Sequence, residues 1–343
     1  MEVGVTMPST VALCMPAFNR EHLVAETLDS VLAQTWPHWE LRVVDDGSTD
    51  RTKDIIAEYA ARDPRIILTD RTTQPKGACT CRNEGVIATS AEYVMFLDTD
   101  DIIEPFCLEN RVRVMDASPD LTFGIFPSLM FEKIPGDLRV WWNIDKPDTD
   151  ELTRQFRQDA IAQGTGILFR RQAFIDIGMW DPELLMWQDI DLFFRAYIQG
   201  YAYGKFFDLP PDLHNRTNHG SLSRKDFFTP AKQESRATVL RRAVALLREN
   251  GMNARIPQAR FMAAEVISGA ARSGQMPLAR QMLDWASREG VLTAREASNL
   301  RIVVLAHWTR ATRLGPVRRR VEALLRPFDT KATLGRLPYT PTA

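Results

Sequence analysis

Three carboxylates close an apolar run in Phe96-Leu97-Asp98-Thr99-Asp100-Asp101. Acids are costly to bury unless they are paired or hold a cation. The segment Tyr93 to Leu97 is apolar and β-prone, which predicts a buried strand with Asp98 and Asp100 just past its carboxyl end. Open α/β sheets bind ligands at that edge. Oxygen ligands of this kind suit Mg²⁺ or Mn²⁺, held mainly through one carboxylate with substrate phosphates and water. Acids after a strand also act as helix caps and solvated turns, so the other motifs must decide between these roles.

Three further motifs fall where they would meet the same edge. In Met15-Pro16-Ala17-Phe18-Asn19, Phe18 either offers a ring face to a nucleobase or fills the core beside a helix cap. In Val43-Val44-Asp45-Asp46-Gly47-Ser48, Asp46 only accepts hydrogen bonds, so it can read the imino N–H of uracil, thymine or guanine. Cytosine has no such proton, which disfavours a cytidine donor. Lys76-Gly77-Ala78-Cys79-Thr80-Cys81-Arg82-Asn83 opens a helix whose basic residues can hold phosphates, although a solvated face is the plainer reading of Lys76. Met186-Trp187-Gln188-Asp189-Ile190-Asp191-Leu192 opens another helix. Residues two apart on a helix diverge, so one of Asp189 and Asp191 is the working carboxylate and the other a cap or scaffold. Trp187 either stacks on a sugar or simply packs. No Gly-x-Gly-x-x-Gly follows the first strand and no phosphate-binding Lys-Ser/Thr loop is present, which counts against a dinucleotide oxidoreductase or a P-loop enzyme.

These motifs need a frame. Strand-like runs at Val11–Met15, Leu41–Val44, Arg65–Leu68 and Tyr93–Leu97 alternate with helical patterns over 21–34, 51–62 and 78–89. Such alternation predicts βαβ units, a mostly parallel sheet and helices on both faces. Beyond Asp101 we expect a helix over 104–116, a strand over 121–126, an aromatic segment at Trp141-Trp142, a helix from about Asp189, a strand over 201–206 and a loop from Asp208 to Lys225. Helical spacing dominates from Ala231. The expected division is a sheet domain over 1–226, with a nucleotide half to 101 and an acceptor half after it, then a helical domain over 227–326 and a flexible tail over 327–343.

At 343 residues the chain is longer than one core usually supports, and its net charge of -1 gives no bias toward nucleic acid. The charge is uneven, however, with nine bases against two acids between 301 and 343. In Pro316–Arg326, Val317, Val321 and Leu324 share a face beside Arg318, Arg319 and Arg320, so this helix either rests on anionic lipid or packs on its own domain. The cysteines Cys14, Cys79, Cys81 and Cys107 show neither a disulfide framework nor metal spacing, which fits a reducing compartment. No signal peptide is evident, and no apolar run approaches the roughly 18 residues that span a bilayer. A cytoplasmic chain, soluble or peripheral on the inner face of the membrane, is expected.

Together, P-A-F-N, S-V-L-A-Q-T, V-V-D-D-G-S-T-D, C-R-N-E-G, F-L-D-T-D-D and Q-D-I-D-L closely resemble the family 2 glycosyltransferases over roughly residues 9–223. That resemblance implies the GT-A fold and inverting transfer from a nucleoside-diphosphate sugar, UDP-linked first of all, to a saccharide, lipid-linked or protein acceptor in cell-surface polysaccharide or glycoconjugate synthesis. It implies that Pro16, Phe18 and Asp46 bind the nucleobase, Asp98 the ribose, Asp100 the divalent metal, Mg²⁺ or Mn²⁺, and that Asp189 is the base. Asn19 and Arg82 complete the expected nucleotide set. Trp187 and Gln188 are expected on the acceptor side, and Arg216 and His219 lie in a segment similar to the family's donor-closing loop. Two positions depart from the pattern: Gln188 stands where an acid is common, and Gln74-Pro75-Lys76-Gly77 replaces an asparagine-containing turn. One base suffices for such a transfer, whereas a glycoside hydrolase needs a paired acid. A sugar nucleotidyltransferase would carry a Gly-rich basic loop after the first strand. The rival from another class is a catalytically silent nucleotide-sugar or glycan-binding scaffold.

Overall fold

The computed structural model describes residues 9–217, 228–329 and 338–339. Its first hundred residues alternate as expected: β1 Val11–Ala17, α1 Val24–Leu32, β2 Trp39–Asp45, α2 Thr52–Ala60, β3 Ile66–Asp70, α3 Ala78–Ile87 and β4 Tyr93–Phe96. β1 pairs in parallel with β2 and β4, and β2 with β3. Parallel strands covered on both faces read as continuous apolar runs, which is why these four were legible.

The middle of the chain is more broken. It contains β5 Ile102–Ile103, α4 Cys107–Asp116, β6 Phe123–Ile125, β7 Ser128–Phe131, β8 Val140–Trp141, α5 Glu151–Phe156, β9 Ile167–Arg170, α6 Arg171–Asp176, α7 Gln188–Ile198, β10 Tyr203–Lys205 and β11 Leu213–Arg216. The large sheet has the order β10-β6-β9-β4-β1-β2-β3, with β9 antiparallel between β4 and β6. A second sheet, β5-β11-β7-β8, lies in part where a loop was expected over 208–225. The sequence of β11, Leu-His-Asn-Arg, lacks strand periodicity because its polar side chains are satisfied by partners. His214 Nε2 bonds Glu104 Oε1 at 2.7 Å, and Asn215 Nδ2 donates to Asp101 Oδ2 at 2.8 Å.

The C-terminal part comprises α8 Pro230–Glu249, a 3₁₀ turn, α9 Arg260–Arg272, α10 Met276–Arg288, α11 Ala294–Trp308 and α12 Gly315–Leu325. The boundary expected at 226/227 is no gap between cores. Phe156, Trp187, Ile190 and Phe194 share one apolar cluster with Leu240, Val244, Met262 and Ile267 of the later helices. Two expectations need correction. Val317, Val321 and Leu324 pack against Val303 and Ala306 of α11, so the apolar face offered to lipid is already covered. The tail expected from 327 begins in the core, since Phe328 is buried, and Tyr339 meets the Trp141 ring with centroids 4.8 Å apart. Among the described residues, no helix is long and apolar enough to cross a membrane.

Candidate functional site

The turns that follow β1 and β2 are built as one unit. Asp45 Oδ2 accepts from the N–H groups of Gly47 and Ser48 at 3.0 and 2.9 Å, while Gly47 takes φ +83, a conformation in which a Cβ is strained. Asn19, itself left-handed at φ 50, donates its backbone N–H to Ser48 Oγ and accepts from the Thr49 N–H at Oδ1. Its side-chain carbonyl is therefore committed to the turn and not to a nucleotide. Asp46 pairs with Arg71 Nε at 2.5 Å, a partner not foreseen from the sequence. Pro16 stays within β1 opposite Val44. The Phe18 face is covered by the Lys76 ammonium, 3.8 Å from the ring centroid, so a base stacking there would replace a cation–π contact.

Each residue of Arg82-Asn83-Glu84-Gly85 fixes a different neighbour from α3. A Cβ on Gly85 would sit 3.0 Å from Cys14 Sγ, so glycine lets α3 lie against β1. Glu84 accepts from the N–H groups of Thr72 and Thr73 at 2.9 and 2.6 Å, which holds the turn before the helix. Asn83 grips the Trp180 backbone twice, donating to its carbonyl at 2.8 Å and accepting from its N–H at 3.1 Å. Arg82 is aimed at the cleft, where it pairs with Asp98 and its guanidinium lies 5.3 Å from the Trp180 ring centroid.

The three acids past β4 divide their work. Asp98 is the more open one, with its side chain 42% exposed and held by Arg82. Asp101 is buried and serves the frame, accepting from Asn215 Nδ2 at 2.8 Å and the Arg216 N–H at 3.0 Å. Asp100 makes no ion pair among those found in the described residues, and burial first, then the Asp98 charge, pushes its carboxyl up to about 6. An unpaired carboxylate destabilised by a neighbouring anion is a natural cation ligand. No cluster of three or more His, Cys, Asp or Glu side chains suited to a metal occurs among the described residues.

Arg216 requires a correction. Its guanidinium donates to the Asp100 carbonyl at 2.9 Å and the Lys133 carbonyl at 3.3 Å, pairs with Glu26 and lies 4.4 Å from the Phe131 ring centroid. It is a strut beneath the acids rather than a free donor for a diphosphate. His219 lies outside the described residues.

Asp189 opens α7 and shares a cavity of about 380 Å³ with Arg82, Asp98, Gln163, Thr165 and Trp180. Burial raises its carboxyl from the free aspartate value, as suits a proton acceptor. Asp191 is the scaffold acid of the pair, buried between Arg195 Nε at 2.9 Å and Arg242 Nη1 at 2.8 Å. Gln188 lines the cavity and donates to the Leu184 carbonyl at 2.9 Å. Trp187 also lines it, yet is only 8% exposed and packs in the shared core beneath Arg236. Sequence reasoning named Asp101 without its partners and missed Arg71, Gln163, Thr165 and Trp180, because their contacts come from segments remote in the chain.

Residues 12–178 match the family model described as Glycosyl transferase family 2. The chain is 39% identical over 106 residues to the UDP-Glc:alpha-D-GlcNAc-diphosphoundecaprenol beta-1,3-glucosyltransferase WfgD of Escherichia coli, covering 31% of this chain and 40% of that protein. It is 27% identical over 232 residues to the glycosyltransferase GlyA of Streptococcus pneumoniae, covering 62% of this chain and 31% of that protein. The chain thus spans well under two thirds of these relatives. Among solved structures, S. aureus TarS 1-349 in complex with UDP-GlcNAc superposes with TM-score 0.59 at 15% identity, covering 95% of this chain and 92% of that one. The mannosyltransferase PcManGT of Pyrobaculum calidifontis, in complex with GDP-Man and Mn²⁺, gives 0.51 at 19% identity, covering 96% and 87%. The shared architecture is GT-A.

Proposed function

Because residues 12–178 belong to glycosyl transferase family 2, we propose that the chain moves a sugar, with inversion, from a nucleoside-diphosphate sugar to an acceptor hydroxyl. The observation that carries this reading is one cavity in which the half-buried Asp189 shares the walls with Asp98 and Arg82. Asp189 takes the proton of the acceptor hydroxyl as its oxygen bonds to the anomeric carbon, and the bond from that carbon to the diphosphate oxygen breaks on the opposite face. Phe18 and Asp46 hold the base, Asp98 the ribose, and Arg82 the phosphate side. Asp100, with Asp98 beside it, would hold Mg²⁺ or Mn²⁺, which neutralises the departing diphosphate when bound. A UDP-sugar is the favoured donor, supported by Asp46 as an acceptor of an imino proton and by the UDP-sugar named for WfgD and TarS. The acceptor class we favour is a lipid-linked or polymeric saccharide of the cell surface, in line with the diphosphoundecaprenol substrate in the WfgD name.

The test is thermal stabilisation by UDP, dTDP, GDP, CDP and ADP, with and without Mn²⁺, in the native chain and in Asp100→Asn. A ligand at 100 times its dissociation constant adds about 2.7 kcal/mol. Metal-dependent stabilisation by UDP that disappears in Asp100→Asn is the expected result. Silence toward every nucleotide would sink the transferase reading and favour a glycan-binding scaffold.

A further inference from the structure

Resting on that reading, we propose that the helical C-terminal region takes part in the reaction, with Ser235 and Arg242 of α8 as positioning residues for Asp189. The Asp189 carboxylate accepts from the Ile190 N–H at 2.9 Å, so its aim follows the backbone of the first turn of α7. That turn is entered through Trp187, which has φ 63. A bulky residue in this region persists only where its surroundings over-determine it.

Those surroundings are supplied by α8. Ser235 Oγ accepts from the N–H groups of Leu185 and Met186, both at 3.1 Å, and donates to the Met186 carbonyl at 2.9 Å. A hydroxyl has one proton and two lone pairs, so this side chain is fully spent on the two residues before Trp187. Arg236 lies over the Trp187 ring, 5.4 Å from its centroid. Beyond the base, Arg242 donates from Nη1 to Asp191 and from Nη2 to Asp181, each at 2.8 Å. Its planar fork thereby ties α7 to the segment next to Trp180, on another wall of the cavity. No residue of α8 lines that cavity, so the influence of α8 on chemistry passes through the placement of Asp189.

The experiment uses the full chain with Mn²⁺ and measures nucleotide release from UDP-GlcNAc, UDP-glucose and GDP-mannose, with water as the acceptor. Ser235→Ala and Arg242→Gln are expected to lower turnover by on the order of 10 to 10² fold, the scale of a displaced catalytic group. The KM for the donor and the thermal stabilisation by UDP should stay at their native values. Ser235→Thr, which keeps the hydroxyl, should recover most of the rate. Hydrogen exchange should quicken at Leu185 and Met186 in Ser235→Ala and stay unchanged in α9 to α11, which separates a loosened turn from a failed fold. Native turnover in Ser235→Ala, or equal losses in the Ala and Thr variants, overturns the assignment. A native chain that neither binds nor releases any of these nucleotides removes the premise and the proposal together, and that outcome appears before any variant is made.

Discussion

The turns after β1 and β2 and the start of α7 are held in opposite ways. The turns after β1 and β2 are held from within the first hundred residues, Asp45 on Gly47 and Ser48 and Asn19 on Thr49, as Glu84 holds Thr72 and Thr73 before α3. The start of α7 rests on α8, with Ser235 gripping Leu185 and Met186 from about fifty residues downstream. Under the proposed function, the difference mounts binding and turnover on separate parts of the frame. Damage to the first should weaken the donor, and damage to the second should slow the reaction.

Asp189→Asn gives the largest effect. Loss of a general base should cut turnover by about 10² to 10⁴ fold with stabilisation by UDP retained; if UDP stabilisation vanishes as well, the two regions do not separate. In the native chain, burial raises the Asp189 carboxyl, so a base that must be ionised loses activity as pH falls through a value above that of a free aspartate. A pH–rate profile whose acid limb lies at or below the free aspartate value would count against that assignment.

Arg111→Met acts on the frame common to both regions. Arg111 in α4 meets Asp212, next to β11, through two bonds of 2.8 and 2.6 Å, and neither residue is appreciably exposed. Removing one partner of such a pair leaves a buried charge and should cost about 3–5 kcal/mol, read by urea denaturation. Binding and turnover should then fall together, as each reports on the folded fraction.

Glu84→Gln is the mildest test and the mirror image of the first. Hydrogen bonds from Thr73 and Thr72 outweigh burial and hold the Glu84 carboxyl below its usual value, so its charge belongs to the turn. Exchanging a charged acceptor for a neutral one should cost about 1 kcal/mol of donor affinity, roughly fivefold in Kd by titration. Turnover at saturating donor should hold; a matching fall in kcat would blur the comparison.

The same contrast explains what the sequence disclosed. Asp46 and Asp98 follow apolar runs, so the residues alone placed them at a sheet edge. Helix spacing alone left Asp189 and Asp191 equal and the family resemblance chose Asp189; the pairing of Asp191 with Arg242 is a contact that no local pattern links to α7. Arg216 read as a free cation because its partners Glu26, Lys133 and Asp100 come from three distant segments. β11 went unseen since its buried polar residues look like loop until Glu104 and Asp101 are brought alongside.

The apolar cluster that joins Phe156, Trp187 and Phe194 to Leu240 and Met262 also limits how such a chain can be recombined. A cut after residue 226 looks natural on paper, yet it would divide one core and leave half of it facing water. Grafting the later helices from a relative to change the acceptor would replace the mounting of the base in the same stroke. Leu192 and Phe193 of α7 also pack with Phe96 and Phe169 of the sheet, so a cut between the sheet and the later helices leaves no core whole.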